Sequence, residues 1–366
     1  MANIYICAID DSDTLSYYQD WRDAFAQAGF KIVNLRNATK WDVVKIGMLG
    51  LLNCQWIVLG HSSYYKLSGA TRYYLSRLLP KLAARKAFFL DNEFRLFREK
   101  IAFAQSTGAE VIVSQFPQDV AESFYGPHTD LHILSLPHAL NPDVFKPGPH
   151  AQLRPIDVGS RSHDFAFYLG DRDRQNALCF TQHLQDIPDL KIDISTDANS
   201  RFTRAQWAAF LQSCKMTIAS EAGSSFIEYD DRTRFAVNDF LEANPGASFN
   251  DVFDRFFANY ANPVSGKIIS PRHFDAAGTK TCQILMEGRY NDILLPSVHY
   301  IPLKRDLSNQ ADVIEMMRNP DLSWRIAEQA YNHILSAHTY QKRVATFLGL
   351  LEGLRPIRAD LRRNAS

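Results

Sequence analysis

Paired cysteines are missing from this chain. Cys7, Cys54, Cys179, Cys214 and Cys282 are dispersed, with no CxxC and no Cys/His cluster. That excludes a zinc-ribbon framework and predicts reduced thiols in a cytosolic compartment. Net charge is missing too, because 40 basic residues cancel 40 acidic ones, whereas nucleic-acid binders carry a basic surplus. No apolar run reaches the ~20 residues of a membrane span. The longest, Ile46 to Gly60, is interrupted by Asn53 and Gln55. The N-terminus lacks a basic n-region and reaches Asp10 and Asp11 too soon for a signal peptide. A GxGxxG fingerprint is also lacking. The expectation is a cytoplasmic protein, at most peripheral to the inner face of the membrane. Its one short basic tail, Arg355, Arg358, Arg362 and Arg363, either touches anionic head groups or is a solvated terminus.

What is present is the composition of a folded protein: 46% apolar and 22% charged residues over 366 positions. That length suits two domains. Short β-branched runs alternate with amphipathic stretches. Strands are expected at Asn3–Ile9, Lys31–Leu35, Gln55–Leu59, Lys86–Leu90 and Glu110–Ser114. Helices are expected at Leu15–Ala28, closed by Gly29, at Thr71–Ala84, broken at Pro80, and at Glu93–Ser106. Strands separated by such helices imply βαβ units and a parallel sheet. Four prolines and a glycine within Leu136–Pro149 mark an interdomain linker, assigned to residues 141–150. Residues 1–140 form the first domain and residues 151–340 the second, with residues 341–366 a final helix and tail. In the second domain, strands are expected at Asp164–Tyr168, Lys191–Ser195, Met216–Ser220 and Cys282–Met286. Helices are expected at Arg174–Leu184, Arg204–Ser213, Ala311–Met317, Ser323–Ala337 and Gln341–Gly353. Asp230–Gly266, rich in Phe and Asp/Asn, is an inserted helical segment. The fold class is therefore α/β, with two doubly wound domains whose cleft is the default ligand site.

Candidate chemistry falls just after the expected strands. Gly170, Arg172 and Arg174 offer close backbone approach and positive charge to a diphosphate, though solvated arginines after a strand explain them equally well. Glu221, Gly223 and Ser224 place a carboxylate, a glycine and a hydroxyl where sugar hydroxyls could bind; a turn with a helix N-cap is the alternative. Ser270-Pro271 signals an N-cap followed by proline at N1. Arg272, His273 and Asp275 then sit at a helix start that attracts anions, or merely form structural salt bridges. Glu287, Gly288 and Tyr290 follow another strand, and His299 and Lys304 lie in a run of mixed aromatic and charged residues. In the first domain His61 is a candidate general base and Asp91, beside Glu93, a second one. A hydrogen-bonded loop histidine and a helix cap are the competing readings.

At these residues the sequence resembles a branch of the group-1 glycosyltransferases similar to the spore-maturation-type transferases. The resemblance lies in Arg154-Pro-Ile-Asp157-Val-Gly159, Tyr168-Leu-Gly170, Glu221-Ala-Gly-Ser224, Ser270-Pro-Arg-His-Phe-Asp275-Ala-Ala, and Glu287-Gly-Arg-Tyr through His299-Tyr-Ile-Pro-Leu-Lys-Arg-Asp306. It covers about Arg154–Tyr340 and is looser over the first domain. It implies a GT-B fold: two Rossmann-like domains facing across a cleft, with the donor site in the second and the acceptor site in the first. The final helix then returns to the first domain. It further implies that neither metal nor cofactor is needed, Arg172, Arg174, Arg272 and Lys304 meeting the leaving diphosphate. The chain departs from the family's two glutamates with seven residues between them: Asp275 stands at the second and Lys267 at the first. Asp275 is then expected to hold ribose, and Glu221, a catalytic candidate together with His61 and Asp91, to orient donor hydroxyls with Glu287. The expected activity is hexosyl transfer from a nucleotide sugar to a hydroxyl of a glycan or glycolipid, in cell-surface polysaccharide synthesis. The alternative is a decayed module that binds without turnover.

Overall fold

The computed structural model describes residues 4–9, 16–34, 39–52, 54–61, 64–65, 67–162, 165–197, 202–261 and 263–355. They form two compact units, one of residues 1–136 with 340–366 and one of residues 137–339.

The first unit begins β1 (Ile4–Ile9), α1 (Ser16–Gln27), β2 (Lys31–Asn34), α2 (Lys40–Gly50), β3 (Cys54–Leu59) and α3 (Gly69–Leu78). It continues with β4 (Arg85–Phe89), α4 (Phe97–Ser106), β5 (Val111–Ser114), α5 (Gln118–Tyr125) and β6 (His132–Ser135). The strands make one six-stranded sheet in the order β2-β1-β3-β4-β5-β6, every pair parallel. The order reverses between β1 and β3, which is the switch point. Burial on α1 follows helical spacing: Tyr18, Trp21 and Phe25 are all inward. The helix stops at Gly29, whose φ of +89° only glycine adopts freely. Thr39 caps α2 through a capping box with Asp42. The expected break at Pro80 takes the form of a 3-10 turn, Leu79–Lys81, after α3. Leu35 lies outside the described residues.

The second unit contains β7 (Ile156–Arg161), α6 (Arg172–Gln185), β8 (Ile192–Ser195), α7 (Arg204–Ser213), β9 (Cys214–Ala219), α8 (Arg232–Ala243) and α9 (Phe249–Phe256). Then follow α10 (Pro271–Gly278), β10 (Cys282–Met286), β11 (Ile301–Leu303), α11 (Gln310–Met317) and α12 (Pro320–Ala337). Its five strands are parallel in the order β11-β10-β9-β7-β8, reversing between β7 and β9. Of the expected strand Asp164–Tyr168, Asp164 lies outside the described residues and the rest is not a strand. Phe167–Leu169 is a 3-10 turn, and the first strand is β7, further upstream. The aromatic run packs sideways instead: Phe165 and Phe167 meet Phe249 of α9 at ring distances of 5.3 and 5.7 Å. Gly159 hid the true strand, because glycine weakens a strand signal. Here it is required, since a Cβ would strike Cys214 Sγ and the Phe210 ring.

The proline-rich stretch is fixed to the second unit. Leu140 and Phe145 are fully buried in its core. Arg154 ties the stretch to the sheet, donating to the carbonyls of Pro149, Thr279 and Cys214 at 2.8–2.9 Å and to Thr281 Oγ1 at 3.0 Å. The last helix, α13 (Tyr340–Gly353), belongs to the first unit. Its inward face, Tyr340, Val344, Phe347 and Leu351, meets α1 through Trp21–Tyr340 and Phe25–Phe347 ring contacts of 5.1 and 6.1 Å. Among the described residues no helix is long and apolar enough to cross a membrane.

Candidate active site at the carboxyl edge of the second sheet

Open parallel sheets bind ligands where strands end at a switch point. In the second unit the segments after β7, β9, β10 and β11 and the start of α10 are bound to one another there. After β7, Gly170 takes a φ of +58° against Phe226 and Phe257, with no room for a Cβ. Asp171 then caps α6, accepting from Arg174 N at 3.1 Å. Its other partner is Lys267, whose Nζ approaches Asp171 Oδ1 to 2.5 Å with both side chains almost wholly buried. Asp173 meets Arg305 at 3.4 Å, and burial raises its pKa. Neither Asp171, Asp173 nor Arg305 was singled out in the sequence as a site residue.

After β9, Glu221 is buried and accepts from Tyr290 N at 2.6 Å. Burial raises its pKa, and the Tyr290 amide opposes the shift. Gly288 is packed against that carboxylate, so a side chain there would displace it. No helix follows directly, which removes the N-cap reading of Glu221–Ser225. Instead Ala222 bridges Ile268, and Ser224 Oγ donates to Leu169 O at 2.7 Å. Gly223, at φ +87°, would drive a Cβ into the Gly266 carbonyl oxygen. Gly223→Ala is therefore expected to destabilise the protein by about 2 kcal/mol or more through positive φ and the backbone clash. A chemical unfolding curve shifted by less than that would contradict the placement.

The helix start expected at Ser270-Pro271 is present: Ser270 is the N-cap and Pro271 stands at N1. His273 Nδ1 accepts from Ser270 N at 3.0 Å, closing the cap. Burial lowers the His273 pKa to about 4. Because that lies below the ordinary histidine value of 6.5, the stability this histidine contributes is present above pH 6.5 and is lost as pH falls toward 4. The loss is on the order of 3 kcal/mol. His273→Asn keeps a capping acceptor and is expected to flatten that part of the stability–pH curve relative to wild type. Identical slopes between pH 6.5 and 4 would rule the assignment out.

Asp275 is buried in the first turns of α10, where its Oδ2 accepts from Trp207 Nε1 at 3.1 Å. Arg272 is exposed, reaches the Arg161 carbonyl and lies over Trp207. Asn291 Oδ1 accepts from Ile269 N at 2.8 Å, which joins the loop after β10 to the start of α10. Tyr290 is buried, its hydroxyl donating to Met286 O at 2.7 Å and its ring meeting His273 at 5.1 Å. Glu287 and Lys304 are exposed at the ends of β10 and β11, and Arg305 also donates to Glu287 O at 3.3 Å. Asp171, Lys267, Glu221 and Asp275 are thus buried on the segments that meet at this edge, and Arg272, Glu287, Lys304 and Arg305 are exposed on the same segments.

The side chains of other candidates serve neighbouring segments. Arg172 stacks on Phe253, 4.0 Å from the ring centroid, and donates to Asn250 Oδ1 at 2.6 Å; Arg174 donates to Ser162 Oγ at 3.3 Å. Arg172 thus holds α9, and Arg174 the loop after β7. His299 is buried, its Nδ1 accepting from Leu295 N at 3.1 Å, and its ring stacks on His333 at 4.5 Å. That places it in packing against α12.

In the first unit, His61 is buried after β3, with ring distances of 5.3 Å to Trp21 and 5.0 Å to Phe89. Asp91 is buried after β4, accepting from Tyr18 Oη at 2.6 Å. Burial raises its pKa, while Tyr18 and Lys100 oppose the shift. Neither Asp91 nor Glu93 caps α4, whose N-cap is Leu96. Glu93 instead accepts from Ser114 Oγ, Gln115 N and Tyr125 Oη at 2.6–2.7 Å, tying the β4 loop to β5.

The segments after β9, β10 and β11 and the start of α10 lie within the sequence match, and the segment after β7 lies before it. Residues 201–349, about two-fifths of the chain, match the family model described as glycosyl transferase-like. Three solved structures align over 96% of this chain. Sucrose-phosphate synthase from Thermosynechococcus elongatus is 8% identical over 98% of its own chain, at a TM-score of 0.56. Anabaena HepE in complex with UDP-glucose is 9% identical over its full chain, at 0.58. An α-glucosyltransferase in complex with UDP and DNA is 11% identical over 98% of its chain, at 0.53. The fold is GT-B. No curated protein matches the sequence. In GT-B terms the described edge belongs to the second of the two α/β units, and the family match begins just before α7 and runs into α13.

Proposed function

We propose that the protein transfers a sugar from a nucleotide-sugar donor to a hydroxyl of a glycan or glycolipid, with the donor held at the carboxyl edge of the second sheet. One observation carries the reading: within the matched segment, Glu221 after β9 and Asp275 on α10 are buried, while Arg272 at the start of α10 and Lys304 and Arg305 after β11 are exposed. Arg272, Lys304 and the α10 N-terminus are suited to the negative charge that develops on a departing diphosphate. Asp275, next to Trp207, would take a ribose hydroxyl. Glu221 orients the Gly288–Tyr290 backbone around the sugar rather than acting as a base, because its carboxylate already serves an amide. Arg172, Arg174 and His299 are then supports of the site and not donor contacts. His61 and Asp91 remain the acceptor-side candidates. UDP and UDP-glucose in HepE, and UDP in the α-glucosyltransferase, support a nucleotide-sugar donor. We further place the protein in the spore-maturation-like branch, acting in surface-polysaccharide synthesis without metal or cofactor.

The decayed-module reading draws on Lys267, which the Asp171 ion pair occupies where the family has a glutamate. A thermal-shift screen against UDP, GDP, dTDP and CMP, each with common sugar conjugates, tests the proposal. A rise in melting temperature with one base, followed by slow release of its nucleotide from the sugar conjugate, is expected. Binding without any release over long incubation would assign the decayed module. No shift with any nucleotide would reject both.

A further inference from the structure

An 11-residue surface helix that is apolar on both sides leaves one side exposed among the described residues. In α2, Val43, Ile46, Gly47 and Gly50 face the first unit, where Gly47 and Gly50 leave room for Leu78 and Leu82. The opposite face carries Trp41, Val44 and Met48, and the turn after it adds Leu51 and Leu52. Trp41 is 79% exposed, Met48 65% and Leu51 76%. Isolated exposed apolar residues are ordinary, but five along one helix face form a patch. The adjoining edge of α3 adds Tyr73 and Tyr74, also exposed.

The charges around this patch identify its occupant. Residues 40–90 contain eight Lys or Arg and a single acid, Asp42, in a chain whose net charge is zero. Asp42 is turned back onto Thr39, accepting from its amide at 2.7 Å. Lys40, Lys45, Arg77 and Lys81 are exposed. Two of them rest against the tyrosines, Lys40 at 5.6 Å from the Tyr74 centroid and Arg77 at 5.4 Å from that of Tyr73. A face with Trp and aliphatic side chains in its middle and Tyr and cations at its edge is the composition of an interfacial helix. A second copy docked on the same face would set these cations against their own equivalents.

We propose that α2 and the adjoining edge of α3 dock on an anionic lipid bilayer, with Trp41, Met48 and Leu51 entering the interface and Lys40, Lys45, Arg77 and Lys81 meeting head groups. This binding is independent of the donor chemistry of the second unit.

Flotation of the full-length protein with extruded vesicles tests it. Wild type is expected to float with phosphatidylcholine vesicles containing about one-third phosphatidylglycerol, to stay down with phosphatidylcholine alone, and to be released by salt. Trp41→Gln with Leu51→Gln should lower the bound fraction on the order of tenfold. Lys45→Glu and Arg77→Glu should each lower it about fivefold or more, with melting temperatures unchanged. Failure of wild type to float, or equal flotation on uncharged vesicles, would overturn the proposal. So would loss of binding when Arg358, Arg362 and Arg363 are changed to Ser while the Trp41/Leu51 variant still floats. Light scattering adds a further test: a concentration-dependent dimer abolished by the Trp41/Leu51 variant would assign the face to a second copy instead.

Discussion

Lys267→Met is expected to lower the unfolding free energy by about 3–5 kcal/mol, since it strands the buried Asp171 carboxylate without its cation. In a unit of roughly 200 residues that corresponds to a fall in melting temperature of about 10 °C. The ion pair is nearly solvent-free, and it joins the loop after β7 to the strand-like segment before α10, 96 positions apart in sequence. Asp171→Asn in the same background removes the stranded charge and keeps an acceptor for Arg174 N. The double variant is therefore expected to recover most of the loss, a coupling that a double-mutant cycle reads directly. Lys267→Glu, which installs the glutamate that the resemblance to the group-1 glycosyltransferases implies here, should be worse than methionine, because it sets two carboxylates together in a buried place. If Lys267→Glu instead proved as stable as wild type, the ion pair would not be the reason for lysine here.

The second large effect concerns the donor. Asp275→Asn retains an oxygen for Trp207 Nε1 but discards the charge, so the fold should tolerate it. Under the proposed function the variant loses a charged acceptor for a ribose hydroxyl, a contact of about 1.5–3 kcal/mol. Donor affinity should then drop on the order of 10–100-fold, with the unfolding midpoint nearly unchanged. Equal affinity in the variant would remove Asp275 from the donor site. A parallel loss of stability would instead mark it as a packing residue.

Periodicity was sufficient for much of the fold, but its failures are physically specific. Strands β4, β5 and β10 are mostly apolar and buried on both faces, with Arg85, Lys86, Ser114 and Gln283 their polar members, and their alternation with helices shows in the sequence. Strand β7 was missed because Gly159 is there for Cys214 and Phe210, a demand invisible without the neighbouring strand. Asp164–Tyr168 misled in the opposite direction, its aromatic residues serving the α8–α9 insertion rather than a sheet. Local signals at the site were legible where capping chemistry is local, as at Ser270-Pro271. Partners far apart in sequence were not. Nothing near Glu221 reveals that its carboxylate receives the Tyr290 amide, 69 positions on, and nothing near Lys267 points to Asp171. Arg305 gave only one signal, its place in the charged run after His299.

The donor site at the carboxyl edge of the second sheet is tested most directly by titration calorimetry of the full-length protein with UDP, GDP, dTDP and CMP. One nucleotide should bind at one site per chain. Its affinity should fall with Asp275→Asn and, on the order of 10-fold, with Arg272→Ala as a charge-assisted phosphate contact is lost. Binding of none of the four, or binding unaltered by both substitutions, would contradict that placement.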